Sequence, residues 1–182
     1  MKERITLGLT ISATGTKLKP IVICKGESDK CLNKFNLNKN IIGTHSSSGW
    51  INENIMLIVL DQIAKCSGGE KSILLLDQYD AHKTDKVKEY AESKNIILIY
   101  IPVGMTYKYQ PLDVGINGIL KAKMKQFYAE FLTSTIKFND TNKIIEDTGT
   151  AYTHALFIKD VIRGWKSISI KTIKHSFDCL SQ

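Results

Sequence analysis

The alternation of apolar and polar positions divides the first part of the chain into strands and a loop. Residues 4–12 alternate apolar side chains with small or polar ones, which predicts a strand with one buried face. After a turn at Gly15, Pro20 and the apolar residues that follow it predict a second strand, paired antiparallel to the first. Residues 26–48 are rich in Asn, Lys and Ser, and they predict a long loop with a short strand at residues 41–42.

The middle of the chain predicts two buried strands with a helix between them. Residues 50–66 have apolar side chains three and four positions apart, which predicts a helix that ends at the following Ser-Gly-Gly. Residues 73–76 and 96–101 are continuous apolar runs, typical of strands that are buried on both faces of a sheet. Residues 85–94 predict the intervening helix. Because short links join these elements into a βαβ unit, we expect the two strands to be parallel.

The last third of the chain has the spacing of apolar residues that is typical of helices. The predicted helices span residues 114–137, 155–165 and 170–180. A looser connection is predicted at residues 138–150. We predict a single domain over residues 1–182, with a core at 1–137 and a C-terminal helical extension at 138–182.

Composition and charge narrow the class of protein. The hydrophobic fraction of 43% and the charged fraction of 24% are typical of a soluble globular protein. No apolar run approaches the ~20 residues that span a bilayer, and no signal peptide is evident, so we expect no membrane association. The four cysteines form no Cys-x-x-Cys pair, which argues against a zinc site. A net charge of +7 fits a nucleic-acid partner, although evenly spread lysines would only solvate the surface.

Two aspartates occupy positions where carboxylates from different elements can meet. Asp77 ends a buried strand and Asp113 precedes the long predicted helix, so both can lie at one edge of a sheet. Adjacent carboxylates repel each other, and a divalent cation that prefers oxygen ligands, Mg²⁺ or Mn²⁺, relieves the repulsion. Paired cations of this kind cleave phosphodiesters. The structural alternative is that Asp77 only terminates a strand and Asp113 caps a helix.

The sequence around both aspartates matches a known pattern. Residues 74–84 read Leu-Leu-Leu-Asp-Gln-Tyr-Asp-Ala-His-Lys-Thr, and residues 110–115 read Gln-Pro-Leu-Asp-Val-Gly. These segments resemble the second-aspartate and third-aspartate motifs of DDE superfamily endonucleases, the catalytic domains of pogo, Tigger and jerky-like transposases. The opening hairpin, Gly49-Trp50-Ile51 and the closing helices are also similar to that family, so the resemblance covers nearly the whole chain.

The resemblance implies an α/β, ribonuclease-H-like fold, in which a mixed sheet is flanked by helices and holds a three-carboxylate metal site. It implies that Asp77 and Asp113 are catalytic and bind Mg²⁺ or Mn²⁺. The other residues that belong to the motifs are Gln78, where the family usually has Asn, His82 and Gln110. The resemblance gives His82 no defined role, and the structural alternative is that it caps or orients the following helix.

The family's first carboxylate lies on a strand before the hairpin, and this sequence shows no match for it. Glu3 falls on the hairpin strand, whereas Glu27 and Asp29 fall in the predicted loop. We therefore expect a sheet that lacks its first, central strand, which would leave backbone donors and acceptors unpaired on both neighbouring strands. We also expect weak or no nuclease activity from this chain alone, because two carboxylates do not fix the geometry that phosphoryl transfer needs.

Two functions remain open from the sequence. The first is metal-dependent cleavage and transfer of DNA strands in the nucleus. The second is a non-catalytic DNA-binding or interaction protein derived from a transposase. In that protein the outer face of the long helix would contact phosphates through Lys121, Lys123 and Lys125. The structural alternative is that these lysines form the solvated face of a surface helix. A homo-oligomer is expected by family analogy only.

Overall fold

The computed structural model describes residues 5–35, 37–136 and 154–181. The strands are β1 (Ile5–Gly8), β2 (Ile21–Lys25), β3 (Ile42–Ser46), β4 (Ser72–Leu76) and β5 (Ile96–Tyr100). The helices are α1 (Glu53–Cys66), α2 (Asp85–Ser93), α3 (Thr106–Tyr109), α4 (Asn117–Ile136), α5 (His154–Ser167) and α6 (Ile170–Ser176). Shorter helical turns are the 3-10 segments Asp29–Phe35, Asp80–His82 and Phe177–Ser181, and the π-helical turn Leu112–Ile116.

The strands form two separate small sheets in a mixed α/β arrangement. β1 pairs antiparallel with β2, and β2 pairs parallel with β3, so the first sheet has the order β1-β2-β3. β4 and β5 form a parallel pair in which Ser72 lies opposite Ile96 and Leu76 lies opposite Tyr100. The predicted hairpin and the predicted parallel βαβ unit are therefore confirmed. Among the described residues, no strand joins the two sheets.

The prediction that β4 and β5 are buried on both faces is wrong for one face of the pair. Ile73, Ile97 and Ile99 are 63%, 42% and 44% exposed, respectively. Helices α1 and α2 pack against the opposite face, which contains Leu76 and Ile96. A continuous apolar run cannot distinguish a strand covered on both sides from one covered on a single side, because every position in it is apolar.

The 3-10 helix Asp29–Phe35 interrupts the long loop predicted between β2 and α1, so the prediction is wrong there. The short strand predicted at residues 41–42 is confirmed at Ile42 and is longer than predicted, because β3 continues to Ser46 in register with β2. Phe35 is only 1% exposed and packs with Val22 and Cys24 beneath the sheet. The apolar residues of this segment stand singly among Asn and Lys, so composition alone did not indicate an ordered structure.

Helix α1 packs against both sheets at once. It begins three residues later than predicted because the side-chain oxygen of Asn52 accepts a hydrogen bond from the Ile55 amide at 3.0 Å, which caps the first turn. The buried Leu60 belongs to one cluster with Ile23 of β2 and Leu76 of β4. Because no described strand connects the sheets, the apolar cluster around this helix joins them.

The long C-terminal helix begins at Asn117, three residues later than predicted, after the π-helical turn Leu112–Ile116. Ile116 is fully buried. Gly115 lies against α6, where a β-carbon in its place would come within 2.9 Å of the Ser176 β-carbon. Only a residue without a side chain permits this close approach.

Helix α5 covers the other face of the three-stranded sheet, and α6 packs in an adjoining cluster. Ile158 and Val161 of α5 pack with Val22 of β2, while Trp165 of α5 and Ile173 of α6 form a further cluster against α4. No helix in the described parts of the chain is both long enough and apolar enough to span a membrane.

The hairpin turn caps the end of α5. Lys17 Nζ donates hydrogen bonds to the backbone oxygens of Trp165, Lys166 and Ile168 at 2.7, 3.0 and 2.7 Å. The indole Nε1 of Trp165 donates to the backbone oxygen of Leu18 at 3.0 Å. A cation suits this position because the last carbonyls of a helix lack partners within the helix and carry partial negative charge.

Several sequence predictions fall on residues outside those described. They are the start of the first strand at residue 4, the placement of Glu3, the end of the long helix at residue 137, the connection at 138–150 and the division of the domain between 137 and 138. These remain predictions.

Helices α1 and α2 are joined by a small polar cluster. Tyr90 Oη donates a hydrogen bond to Asp61 Oδ1 at 2.8 Å, and Lys94 Nζ lies 3.4 Å from the same oxygen. The hydrogen bond from Tyr90, with a smaller contribution from Lys94, holds the pKa of Asp61 below its ordinary value.

Asp61→Asn is expected to reduce the dependence of stability on acid pH. Because the folded pKa of Asp61 is lowered, its contribution is complete above the ordinary pKa of 3.8 and is lost as pH falls through the folded value. The side chain is 40% exposed, so solvent limits the effect to less than about 1 kcal/mol. Urea unfolding at neutral pH and near pH 3 would measure it. Equal losses of stability in the variant and the original chain would contradict this prediction, and Tyr90→Phe should resemble Asp61→Asn.

Candidate active site

The carboxyl ends of β4 and β5 place Asp77 at an edge of the sheet. Asp77 directly follows β4, and the Ile101 amide donates a hydrogen bond to the Leu76 backbone oxygen at 2.8 Å. The chain that leaves β5 therefore starts beside the end of β4. This edge is where open α/β sheets usually bind ligands. The Asp77 side chain is 46% exposed.

Two groups hold one oxygen of the Asp77 carboxylate. His82 Nδ1 lies 2.9 Å from Asp77 Oδ1 and 3.3 Å from the Asp77 backbone oxygen. The Tyr79 amide donates a hydrogen bond to the same Oδ1 at 3.2 Å. Within residues 5–35, 37–136 and 154–181, no hydrogen bond or ion pair reaches Oδ2. The carboxylate is therefore oriented through one oxygen, and the second has no partner among the described residues.

His82 is itself held in place by the residues around it. The 3-10 turn Asp80–His82 returns the chain toward Asp77, and the His82 side chain is only 13% exposed. The Tyr100 hydroxyl donates to the His82 backbone oxygen at 2.9 Å. The ring of Tyr79 meets the His82 ring edge-on, with centroids 5.6 Å apart. The imidazole position is thus fixed on several sides.

The structure tests the alternative in which His82 caps the following helix. Thr84 caps α2, because its hydroxyl accepts a hydrogen bond from the Val87 amide at 3.4 Å. The ring of His82 contacts Asp77 instead of capping that helix. Gln78, the other residue of this motif, is exposed.

Asp113 lies on an exposed turn that precedes α4. Its Oδ1 accepts a hydrogen bond from Asn117 Nδ2 at 2.7 Å, one turn along the helix. The backbone oxygen of Gln110 accepts from the amides of Asp113 and Val114 at 2.9 and 3.0 Å, so Gln110 starts this turn. Pro111 occupies the cap position. The structural alternative in which Asp113 caps the helix is therefore wrong.

The two carboxylates suit a hard divalent cation by their chemistry. Mg²⁺ prefers oxygen ligands and commonly takes only one or two carboxylates while keeping several waters. In the part of the chain that the structure describes, no three His, Cys, Asp or Glu side chains form a metal-binding group. The hydrogen bonds of Asp77 and Asp113 come from their own neighbouring turns. Their catalytic and metal-binding roles remain predictions.

The three lysines of α4 do not share one outer face. Lys121 and Lys125 are exposed and lie about one turn apart. Lys123 lies roughly 200° around the helix from Lys121. It is partly buried toward α5, where a β-carbon on Gly164 would come within 3.9 Å of its own. The expected common face is corrected to Lys121 and Lys125, and contact of the lysines with phosphates remains a prediction.

Sequence reasoning missed two tyrosines of this site, Tyr79 and Tyr100. Tyr79 contributes its amide. An aspartate side chain often accepts a hydrogen bond from the amide two residues later, so Asp77 could have indicated this contact. Tyr100 is the only residue of β5 whose side chain has a polar group. A hydroxyl in an otherwise aliphatic strand indicates a hydrogen-bond partner nearby, and this was the signal in the sequence.

Comparisons with known proteins agree with the motifs around this site. The family model of the DDE superfamily endonuclease matches residues 2–177. The pogo transposable element with KRAB domain is 30% identical in Homo sapiens and 29% identical in Mus musculus, and each alignment covers 97% of this chain. The Homo sapiens pogo transposable element with ZNF domain is 27% identical, over 62% of this chain and 8% of its own length.

The matches to the two relatives with a KRAB domain cover almost all of this chain but a small part of each relative. The chain spans 28% of the length of both relatives with a KRAB domain. No solved structure matches it significantly. The family match nevertheless runs from the first residues to the end of α6, and it includes both aspartate motifs. The chain therefore belongs to the DDE superfamily endonuclease family.

Proposed function

We propose that this chain is part of a metal-dependent nuclease domain, of transposase origin, whose substrate is the phosphodiester backbone of DNA. One observation carries the proposal. At the carboxyl end of β4, Asp77 has one oxygen held by His82 and Tyr79, and the other has no partner in the part of the chain that the structure describes. That arrangement suits a carboxylate that binds a cation, and family membership supplies the reaction class.

The residues of the site have distinct roles in this proposal. Asp77 and Asp113 hold Mg²⁺ or Mn²⁺, and each keeps one oxygen engaged by a neighbouring donor. The cation, when bound, lowers the pKa of a water and neutralises charge on the phosphate. The exposed Lys121 and Lys125 attract the phosphate backbone, because each neutralised phosphate releases a counterion.

The proposal extends to the fold. We infer a ribonuclease-H-like sheet in which a further strand lies between β1 and β4 and carries the third carboxylate. Three features support this inference: β1 is an edge strand of its sheet, β4 pairs with β5 alone, and α1 packs across both sheets. A strand in that position would pair the open backbone groups of both neighbours.

A second candidate is a DNA-binding or interaction protein without catalysis. It is favoured by the absence of a three-residue metal group among the described side chains. In that case Lys121 and Lys125 would contact phosphates without chemistry. A nuclear location and a homo-oligomer follow from a DNA substrate and from family analogy, and both remain predictions.

Binding of Mn²⁺ to the 182-residue chain tests the proposed site directly. We expect Asp77→Asn and Asp113→Asn each to weaken binding at least about tenfold, because each removes a charged ligand. Loss of the free Mn²⁺ signal in electron paramagnetic resonance measures the affinity. The matched control is Asp85→Asn, which removes an exposed carboxylate that pairs with Lys88. Equal binding of Mn²⁺ by the original chain, Asp77→Asn and Asp113→Asn would contradict the proposal.

Nicking of supercoiled plasmid DNA in Mn²⁺ separates the two candidate functions. We expect weak or no nicking by the 182-residue chain, because two carboxylates do not complete the catalytic geometry. Strong nicking that disappears in Asp77→Ala would show that the chain is a nuclease, and it would contradict the expected inactivity. Nicking that survives in Asp77→Ala would come from another site or a contaminant, and it would not support Asp77 as catalytic.

A further inference from the structure

The orientation of an aspartate at a strand end is not fixed by the backbone. Asp77 is 46% exposed, and an exposed carboxylate without partners samples several rotamers and loses this freedom when it binds a cation. Here His82 Nδ1 and the Tyr79 amide converge on the same oxygen, Oδ1. Two donors on one oxygen select one orientation of the carboxylate, and they leave Oδ2 as the available ligand atom.

The donor on His82 can be assigned to one ring nitrogen. Nδ1 faces two acceptors, Asp77 Oδ1 at 2.9 Å and the Asp77 backbone oxygen at 3.3 Å. Neither acceptor can donate when the carboxylate is ionised, so the proton between them belongs to Nδ1. This position is reached only because the turn Asp80–His82 brings the imidazole back over the residue at the end of β4.

The support behind His82 extends to the strands. Tyr100, the last residue of β5, donates its hydroxyl hydrogen to the His82 backbone oxygen at 2.9 Å, and β5 pairs with β4 immediately before Asp77. One parallel strand pair thus carries both the carboxylate and the residue that anchors its histidine. Such outer partners typically account for a 10- to 100-fold difference in metal affinity, roughly the range we expect here.

We propose that His82 is a positioning residue that orients the Asp77 carboxylate, so that Oδ2 is presented to a divalent cation while His82 itself does not bind the cation. The inference rests on the proposed function, because it concerns the same metal site. It goes beyond that function by giving His82 a role that the motif alone leaves open. In this role His82 Nδ1 donates a hydrogen bond to Asp77. His82 neither caps α2 nor binds the cation.

The test compares three substitutions at position 82 by Mn²⁺ affinity of the folded 182-residue chain. His82→Ala removes the donor and is expected to weaken binding about 10- to 100-fold. His82→Asn places an amide N–H near the position of Nδ1, and it should retain affinity within about threefold of the original. His82→Gln carries its N–H farther out and should resemble His82→Ala. Loss of binding in all three variants would assign His82 a metal bond or a purely structural role and overturn the proposal.

A second readout needs no metal. In the metal-free chain, the ¹⁵N spectrum of the His82 ring is expected to show a proton on Nδ1. A ring without a proton on Nδ1 would overturn the proposal, even if His82→Ala fails to fold. The failure of the metal site itself is distinguishable. If Asp77→Asn binds Mn²⁺ as well as the original chain, the proposed function fails, whereas weakened binding in Asp77→Asn with full binding in His82→Ala refutes only the positioning role.

Discussion

Trp165→Ala is expected to lower the free energy of unfolding by about 3 to 5 kcal/mol, the largest loss for any single side chain considered. Trp165 is 5% exposed and packs with Ile116 and Ile173 in the cluster that joins α4, α5 and α6. Truncation removes this buried area and also leaves the backbone oxygen of Leu18 without its donor. Urea denaturation followed by circular dichroism measures the change.

The chain provides matched controls for this prediction. Trp50 is 46% exposed, so Trp50→Ala should cost much less than Trp165→Ala. Trp165→Phe keeps most of the ring but loses the indole N–H, and we expect an intermediate loss of about 1 to 3 kcal/mol. Equal destabilisation by Trp50→Ala and Trp165→Ala would contradict the prediction that burial in the cluster around α5 sets the size of the loss.

Leu60→Ala is expected to lower the free energy of unfolding by about 2 to 5 kcal/mol and to loosen one sheet from the other. Leu60 is fully buried in the cluster that contains Ile23 of one sheet and Leu76 of the other. Because no described strand pairs the two sheets, a cavity at this position weakens the apolar contact that stands in place of backbone hydrogen bonds. Local opening should therefore occur first in β4, β5 and α2.

Hydrogen exchange resolves this effect along the chain. In Leu60→Ala, amides of β4 and β5 should exchange faster than those of β2, relative to the original protein. Leu57→Ala, on the same helix but only partly buried, is the control and should show a smaller loss. Uniform acceleration of exchange in both sheets would contradict the view that α1 joins two units that can open separately.

Local patterns were sufficient to predict the elements around the candidate site. The apolar runs of β4 and β5 and the helix between them lie close together in sequence, so short links fixed their parallel pairing. The position of Asp77 followed directly from the end of β4. The contact of Asp77 with His82 spans only five residues, yet it depended on a 3-10 turn that has no periodic apolar signal.

Features that depend on distant contacts could not be predicted from the sequence. Only the start of β3 was predicted, because the strand continues through Thr44 and His45 and its parallel pairing with β2 comes from tertiary packing. The exposed face of β4 and β5 was hidden because apolar residues occupy both sides. The sequence predicted that Lys121, Lys123 and Lys125 share one face of α4. Positions two apart on a helix point in nearly opposite directions, so Lys123 lies away from the other two.

The cap that Lys17 places on α5 has a consequence for how the protein is made. Its amino group takes partners that are up to 151 positions later in the chain, so this cap cannot form until α5 has emerged from the ribosome. Contacts of such long range slow folding, because loop closure must precede the gain in stability. During synthesis, β2 can therefore pair with β3 and pack against α1 first, and the contact of Lys17 with the end of α5 is added last.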